Sequence, residues 1–268
     1  MTTSRRRRLD VELVRRGLAP SRARAVEAID AGRVLVCGAP AATAARQVGA
    51  AEAITVAPPA GDEYVSRGGH KLAAGLDAFG IDVRGRRAVD VGASTGGFTD
   101  CLLRRGAAHV IAIDVGRGQL AWSLRQDPRV TVMERTNVRE IAPGVIESPA
   151  DVCVVDVSFI SLRVVAPSLL ALTTDDASFV LLVKPQYEAG RGRVGRGGIV
   201  RDPAVHEAVL REVTAGLDAC GLGVQAVIPS PLRGADGNVE FLAYARRGPS
   251  SVTVTELADA VQRARDAA

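Results

Sequence analysis

The chain has 268 residues, a net charge of +4 at pH 7 and a hydrophobic content of 47%. This composition is typical of a globular protein of one or two domains and excludes a disordered or fibrous chain. No apolar run is long enough to span a bilayer, and the arginine-rich N-terminus leads into no apolar signal-peptide core. The four cysteines form no C-x-x-C pair, so we expect neither a zinc site nor disulfides, and we expect a cytoplasmic location.

Lysine is scarce in this sequence. Of the 34 basic residues only two, Lys71 and Lys184, are lysines. A desolvated lysine can lose its proton, whereas arginine effectively cannot. The two retained lysines are therefore candidates for chemistry.

The pattern of residues 1–62 predicts a small α/β domain that begins with a basic arm at residues 1–7. Helices are expected at 10–16 and, after the N-cap Ser21, up to Asp30. Strands are expected at 33–37 and 53–56, with a turn at 38–40. The proline and glycine residues at 58–61 predict a linker over 57–66, so residues 63–268 form the second domain.

The order of elements in this first domain resembles the S4 RNA-binding module, which is shared by a small-subunit ribosomal protein and many pseudouridine synthases. Its arginines suit the recognition of folded RNA through phosphates. The alternative is a solvated basic face. The predicted RNA contacts in this domain are Arg5, Arg6, Arg7, Arg15, Arg16, Arg22 and Arg24.

The second domain alternates strands with helices, which predicts an α/β fold with a doubly wound, parallel, Rossmann-like sheet of seven strands. The strands are expected at 87–91, 109–114, 130–133, 151–156, 178–184, 224–228 and 239–244. Helices are expected at 98–105, at 203–219 and from residue 255 onwards.

The loop from Gly92 to Gly97 follows the first of these strands, where open α/β sheets bind ligands. A nucleotide P-loop is excluded because Phe98 stands where lysine is needed, and a dinucleotide fingerprint is excluded by Ser94. The segment GRGRVG at 190–195 fits that fingerprint but lacks the strand–turn–helix context. S-adenosylmethionine, which needs small residues rather than a phosphate cradle, is the predicted cofactor. The predicted cofactor contacts are Asp90, Gly92, Ala93, Ser94, Gly96, Gly97, Phe98, Asp114, Asn137 and Asp156.

A second basic segment spans residues 186–201 and holds five glycines and four arginines. Guanidinium groups on a mobile loop suit contacts to phosphates. The predicted RNA-binding residues therefore include three arginines of this segment: Arg191, Arg193 and Arg196. Arg67 completes the set.

Six segments in order resemble the TlyA family of ribosomal-RNA 2′-O-methyltransferases, which place an FtsJ-like catalytic domain behind an S4-like module. They are SRGGHKL (66–72), DVGASTGGFT (90–99), DVGRGQL (114–120), DVSFISL (156–162), VKPQ (183–186) and GNVE (237–240). The resemblance implies an enzyme that uses S-adenosylmethionine and acts on cytidine in 23S and also 16S ribosomal RNA. It also implies an influence on sensitivity to capreomycin-type antibiotics. We expect a monomer without a metal ion, although the sequence leaves the oligomeric state open.

The resemblance assigns a catalytic set to Lys71, Asp156, Lys184 and Glu240, which includes both lysines of the chain. We expect Lys184 to accept the proton of the ribose hydroxyl and Asp156 to orient it, while Lys71 and Glu240 position the ribose. Three other functions compete: a membrane-lytic haemolysin, a non-catalytic RNA chaperone and a pseudouridine synthase. The first needs a secretion route and a membrane-active segment, and neither is expected here. The intact tetrad argues against the second, and the seven-stranded domain lacks the chemistry of the third.

Overall fold

The computed structural model describes residues 6–57, 64–141, 144–234 and 237–267. The chain divides into two compact units, residues 1–63 and residues 64–268. Residues 58–63 of the predicted linker (57–66) lie outside the described residues. Each unit has a hydrophobic core of its own.

The first unit combines two helices with short strands. Its elements are β1 (Arg7–Arg8), α1 (Leu9–Arg15), α2 (Arg22–Asp30), β2 (Val34–Val36), β3 (Ala39–Pro40), β4 (Gln47–Val48) and β5 (Ile54–Val56). β2 pairs antiparallel with β3 and β5, and β1 pairs antiparallel with β4. The pairing of β1 with β4 was not expected from the sequence, because two-residue strands leave no periodic pattern.

The helices of the first unit begin and pack as the sequence predicts. Ser21 caps α2 by accepting a hydrogen bond of 3.3 Å from the backbone N–H of Arg24. Leu9 and Leu13 on α1 meet Ala25 and Ile29 on α2 in one buried cluster. Burying these apolar side chains stabilises the unit and leaves the arginines on its surface.

The second unit is built on a seven-stranded sheet, as predicted. Its strands are β6 (Arg87–Val91), β7 (His109–Ile113), β8 (Val130–Met133), β9 (Ala150–Val155), β10 (Thr173–Val183), β11 (Leu222–Pro229) and β12 (Phe241–Arg247). They are arranged in the order β11-β12-β10-β9-β6-β7-β8.

The sheet is mixed, so the prediction of a wholly parallel sheet is wrong at one strand. β12 runs antiparallel to both of its neighbours, β10 and β11. The segment between β11 and β12 contains no crossover helix among its described residues, and an antiparallel return is the pairing that such a connection permits. Because β12 is reversed, the residue that precedes it lies at the edge where the parallel strands end.

Helices cover both faces of the sheet. They are α3 (Gly68–Phe79), α4 (Gly97–Arg104), α5 (Trp122–Arg125), α6 (Leu162–Ala171), α7 (Pro185–Glu188), α8 (Pro203–Asp218) and α9 (Val254–Asp266). Side chains of α3 and α4 pack in one buried cluster, and those of α6, α8 and α9 pack in another. The sequence reasoning predicted α4, α8 and α9 but did not identify α3 or α6.

Candidate active site

The loop between β6 and α4 is shaped by close backbone contacts. Gly92 has a φ of +86°, and a Cβ there would lie 2.8 Å from the carbonyl carbon of Asp156. Gly96 has a φ of +97°, and a Cβ there would lie 2.8 Å from a methyl group of Leu120. Only glycine meets both demands without strain, which explains the small residues of this loop.

Asp114 follows β7 and is fixed by two backbone groups. One carboxylate oxygen accepts the N–H of Ser94 at 2.8 Å, and the other accepts the N–H of Gly116 at 2.6 Å. An ionised carboxylate has about four acceptor positions, so both oxygens keep capacity for further donors. Asp114 can therefore bind a ligand with two hydroxyl groups.

A cavity of about 450 Å³ lies at the carboxyl ends of β6, β7 and β9. Five of the predicted cofactor residues line it: Gly92, Ser94, Asp114, Asn137 and Asp156. The other five, Asp90, Ala93, Gly96, Gly97 and Phe98, are buried outside that lining. They form the support of the loop rather than its exposed surface.

Asn137 stands at the rim of the cavity and begins a short 3₁₀ helix at Val138–Glu140. Its Oδ1 accepts the backbone N–H of Arg139 at 3.2 Å, and its Nδ2 donates to Glu140 at 2.7 Å. The amide is thus held in one orientation beside the cavity.

Asp90 lies beneath the loop and is completely buried. Burial raises the pKa of Asp90 to about 7, although the hydroxyl of Thr99, which donates to it at 2.6 Å, opposes that rise. Its Oδ1 has no hydrogen-bond partner among the described residues. A buried carboxyl with a free oxygen is costly in its ionised form.

Lys184 and Asp156 form an ion pair at the edge of the sheet. Lys184 Nζ lies 2.5 Å from Asp156 Oδ1 and donates a hydrogen bond of 3.0 Å to the hydroxyl of Ser158. The amine also lies 5.9 Å from the ring centroid of Tyr187. Asp156 and Ser158 both line the cavity, so the amine contacts two residues of the cavity wall.

Lys71 and Glu240 form a second ion pair, which is more deeply buried. Their side chains are 9% and 3% exposed, and Lys71 Nζ lies 2.5 Å from Glu240 Oε2. Lys71 belongs to α3, whereas Glu240 immediately precedes β12. A buried charge requires such a partner, because removing one member leaves the other uncompensated.

The strand register brings the two pairs to the same edge. Val183, the last residue of β10, is paired with Phe241, the first residue of β12. Lys184 and Glu240 therefore occupy facing positions beyond the two strands. Asp156 follows β9, which lies parallel beside β10. The four residues that the sequence singled out as catalytic converge in this way.

Most of the arginines predicted to contact RNA are engaged within the protein. Acidic partners are found for Arg6 (Glu52), Arg15 and Arg16 (Glu12), Arg22 (Asp10), Arg24 (Glu27) and Arg193 (Glu212). Arg67 donates to the carbonyl oxygen of Arg233 at 2.6 Å. Arg5 and the side chains of Arg191 and Arg196 lie outside the described residues.

Arg16 and Arg7 show the two extremes within the first unit. The guanidinium of Arg16 donates to Glu12 at 2.8 Å and to the carbonyl oxygens of Glu52 and Gly49 at 2.8 and 3.0 Å. Hydrogen bonds from Arg15 and Arg16 lower the pKa of Glu12 to about 2. Arg7 is exposed, and its side chain has no ion pair within the described part of the chain.

Sequence reasoning missed several residues of the cavity. Gln119, Arg139, Ser158 and Phe159 line it as well. Ser158 and Phe159 lie in the segment 156–162, so the motif itself was the available signal. Phe159 is 88% exposed with a φ of +63°, and its ring centroid lies 4.9 Å from that of Tyr187.

The comparisons with known proteins agree with this architecture. The FtsJ-like methyltransferase family matches residues 64–247, and the S4 domain family matches residues 7–54. A protein of Mycobacterium tuberculosis named 16S/23S rRNA (cytidine-2'-O)-methyltransferase TlyA is 50% identical over 262 residues, which cover 97% of this chain and 98% of that protein. The chain belongs to the TlyA family of FtsJ-like methyltransferases.

Other members of the TlyA family carry haemolysin names. Hemolysin A of Brachyspira hyodysenteriae is 41% identical, over 88% of this chain and 98% of that protein. A solved structure from Streptococcus thermophilus with a haemolysin description has a TM-score of 0.78 and 38% identity, and it covers 98% of this chain and 96% of that one. These likenesses extend over both units of the chain.

The described residues contain neither a membrane-spanning helix nor a cluster of metal-binding side chains. Among the described residues, no helix has the length and apolarity needed to cross a bilayer. Within the same residues, no group of three or more His, Cys, Asp or Glu side chains is placed to hold a metal ion.

Proposed function

We propose that this chain transfers a methyl group from S-adenosylmethionine to the 2′-hydroxyl of cytidine in ribosomal RNA, in the large and the small subunit. The observation that carries the proposal is that both lysines of the chain, each ion-paired to a carboxylate, meet at the edge of the sheet where Asp156 lines the glycine-loop cavity. The name of the relative from M. tuberculosis supports the substrate. The same substrate links the proposal to capreomycin sensitivity.

The cavity fits S-adenosylmethionine by the chemistry of its donors and acceptors. Asp114 would offer its carboxylate oxygens to the two ribose hydroxyls, and the amide of Asn137 at the cavity rim would contact the adenine. The loop at Gly92 and Ser94 offers close backbone approach and no phosphate cradle. When bound, this cofactor supplies an electrophilic methyl group on a positively charged sulfur.

Lys184 accepts the proton of the ribose hydroxyl in this proposal. Lys184 Nζ is ion-paired with Asp156 and donates a hydrogen bond to Ser158, so both neighbours hold the amine in place. The lone pair of the unprotonated amine would accept the proton of the substrate hydroxyl. For this reaction the protein must hold the attacking ribose oxygen in line with the methyl group and remove its proton.

Lys71 and Glu240 position the ribose. Their short, buried contact fixes α3 against the start of β12, so both side chains keep one orientation. A preorganised pair avoids reorganisation when the substrate binds. Residues 1–62 supply RNA affinity and take no part in the chemistry.

The decisive experiment incubates the purified chain with labelled S-adenosylmethionine and isolated large or small ribosomal subunits, followed by nucleoside analysis of the RNA. We expect label in 2′-O-methylcytidine from both subunits. Label confined to the large subunit under excess enzyme would overturn the dual substrate, and label in a base would overturn the reaction. Lysis of liposomes by the chain without cofactor would instead support a haemolysin.

Removing residues 1–62 tests whether RNA binding and methyl transfer belong to different units of the chain. We expect the shortened chain to keep its affinity for S-adenosylmethionine while methylation of subunits collapses. A shortened chain that methylates subunits at the full rate would show that this unit does not find the substrate.

A further inference from the structure

A second cavity, larger than the first, lies at the start of α8 and has a volume of about 640 Å³. Three arginines line it: Arg201, which precedes α8, Arg233 and Arg265 near the end of α9. Apolar side chains, among them Val200 and Val239, form the rest of its wall. We call it the arginine cavity.

Within the described part of the chain, the arginine cavity has three positive charges and no carboxylate paired with them. None of its three arginines has a carboxylate partner among the described residues, although most of the arginines predicted to bind RNA do. Arg233 donates to the carbonyl oxygen of Gly237 at 3.2 Å, and Arg265 donates to Gln262 at 3.3 Å. Among the described residues, no aspartate or glutamate lines the cavity. A concave surface of this kind attracts anions.

Asp202 caps α8 next to Arg201, and His206 lines the cavity. Asp202 turns its carboxylate towards α8, where it accepts the backbone N–H of Ala204 at 2.9 Å. His206 is 4% exposed, its Nε2 lies 3.0 Å from the carbonyl oxygen of Val200, and burial lowers the pKa of this imidazole. His206 is therefore a neutral part of the wall near pH 7.

The arginine cavity is connected rigidly to the candidate active site. Asn238 is 1% exposed; its Oδ1 accepts the N–H of Val200 at 2.9 Å and its Nδ2 donates to the carbonyl oxygen of Gly198 at 3.0 Å. The next residue, Val239, lines the cavity, and the one after it, Glu240, pairs with Lys71. One peptide unit, about 3.8 Å from Cα to Cα, separates the cavity wall from that pair.

We propose that the arginine cavity binds a phosphodiester group of the substrate RNA, next to the nucleotide whose ribose is methylated. This inference rests on the proposed function, since it places the substrate of the same site. The planar guanidinium group matches the geometry of phosphate oxygens, and a nucleotide turned out of its stack needs its flanking backbone held. Free phosphate or pyrophosphate shares this chemistry, and the experiment separates it from RNA.

The test measures the affinity of the full-length chain for ribosomal subunits over a range of salt concentrations without S-adenosylmethionine. The variants are the doubles Arg201→Gln/Arg265→Gln and Arg201→Lys/Arg265→Lys. The matched control is Arg211→Gln, which removes an arginine of α8 that pairs with Glu207 outside the cavity. Thermal unfolding and calorimetric binding of S-adenosylmethionine show that each variant keeps its fold.

We expect the glutamine double variant to bind subunits at least tenfold more weakly at low salt. Each phosphate contact contributes about 0.9 to the slope of log affinity against log salt, so its slope falls by about 1 to 2. The lysine variant keeps the slope because it keeps the charge. A glutamine variant that matches Arg211→Gln in affinity and slope would overturn the proposal.

Two further measurements separate the alternatives. Titration with pyrophosphate that gives saturable binding in the wild type, lost in the glutamine variant while subunit binding is unchanged, would assign the cavity to a small anion and overturn the RNA assignment. The binding data are independent of methyl transfer. A wild type that binds subunits through the cavity but transfers no methyl group would therefore contradict the proposed function and leave this inference standing.

Discussion

Gly92 and Asp156 approach each other so closely that a side chain on Gly92 would begin 2.8 Å from the carbonyl carbon of Asp156. The two residues immediately follow neighbouring parallel strands, β6 and β9, and the backbone N–H of Asp156 also donates to the carbonyl oxygen of Val91 at 2.9 Å. The cavity wall and the partner of Lys184 are therefore one rigid unit. A substitution at either residue is therefore expected to disturb both cofactor binding and the position of Lys184.

Gly92→Ala tests that contact. The new methyl group meets backbone atoms that cannot move aside, so we expect a lower melting temperature and a loss of both cofactor binding and methyl transfer. Gly118→Ala is the matched control, because Gly118 also has a positive φ, +70°, but nothing lies within 4 Å of its added Cβ. In both variants the left-handed backbone at the substituted position lowers the free energy of unfolding by about 1 kcal/mol. Equal effects of the two variants on cofactor affinity would contradict the close contact.

Lys184→Arg tests the proton acceptor. Arginine keeps the positive charge beside Asp156 but does not give up a proton, so single-turnover methyl transfer should fall by about 10²-fold or more. The dissociation constant of S-adenosylmethionine, measured by calorimetry, should stay unchanged. Asp114→Ala should show the opposite pattern, with weaker cofactor binding as its first effect. Wild-type turnover by Lys184→Arg would remove Lys184 from this role.

Asp90→Asn tests the buried carboxyl. Burial raises the pKa of Asp90 from 3.8 to about 7 in the folded state. Between these pH values the folded protein holds a proton that the unfolded chain releases, so the free energy of unfolding falls as pH rises. Asparagine cannot ionise. The free energy of unfolding of the variant should therefore rise relative to that of the wild type across this pH window, by up to about 4 kcal/mol.

The pH dependence of Asp90→Asn is measured by denaturant unfolding from pH 4 to pH 8, a window that spans the shift. Asp175→Asn serves as control because its side chain is fully exposed. If the free energies of unfolding of the wild type and Asp90→Asn change with pH in the same way over the whole range, Asp90 is already ionised in the folded protein.

Arg7→Gln and Arg16→Gln test which arginines of the first unit bind RNA. Arg16 is held by Glu12 and by carbonyl oxygens, so its loss should destabilise the full-length chain by about 2 kcal/mol. Arg7 is exposed and unpaired within the described residues, so its loss should leave the melting temperature unchanged. Its loss should instead weaken subunit binding and lower the salt slope by about 1. A melting temperature lowered by Arg7→Gln would assign that residue to the fold.

The sequence allowed the sheet and the polar residues at its strand ends to be predicted, since hydrophobic runs mark strands and polar residues mark their ends. Asp114 and Asp156 were found in this way. The direction of β12 was not predictable, because strand pairing depends on residues far apart in the chain. The partners of Arg16 and Arg193 were equally hidden: a run of arginines looks the same whether it faces solvent or binds a carboxylate.

The helix α3 shows a different limit. Its first residues, Gly68 and Gly69, disfavour helix on propensity, yet burial of Leu72 and Leu76 against the sheet outweighs that cost. Lys71 was identified through its rarity and the family motif rather than through its helix. Its partner Glu240 was expected at the same site, whereas the buried contact between them is a product of tertiary packing.

The reversed strand β12 also sets how much variation in length the chain tolerates here. Asn238 is anchored to Gly198 and Val200, and Phe241 is paired with Val183 on one side and Pro229 on the other. Only Val239 and Glu240 span the gap between these anchors. Inserting one residue would turn Glu240 away from Lys71 or force β12 to slip, and a slip of one position exchanges the two faces of a strand. Changes in length are therefore expected before Asn238 and not within this two-residue bridge.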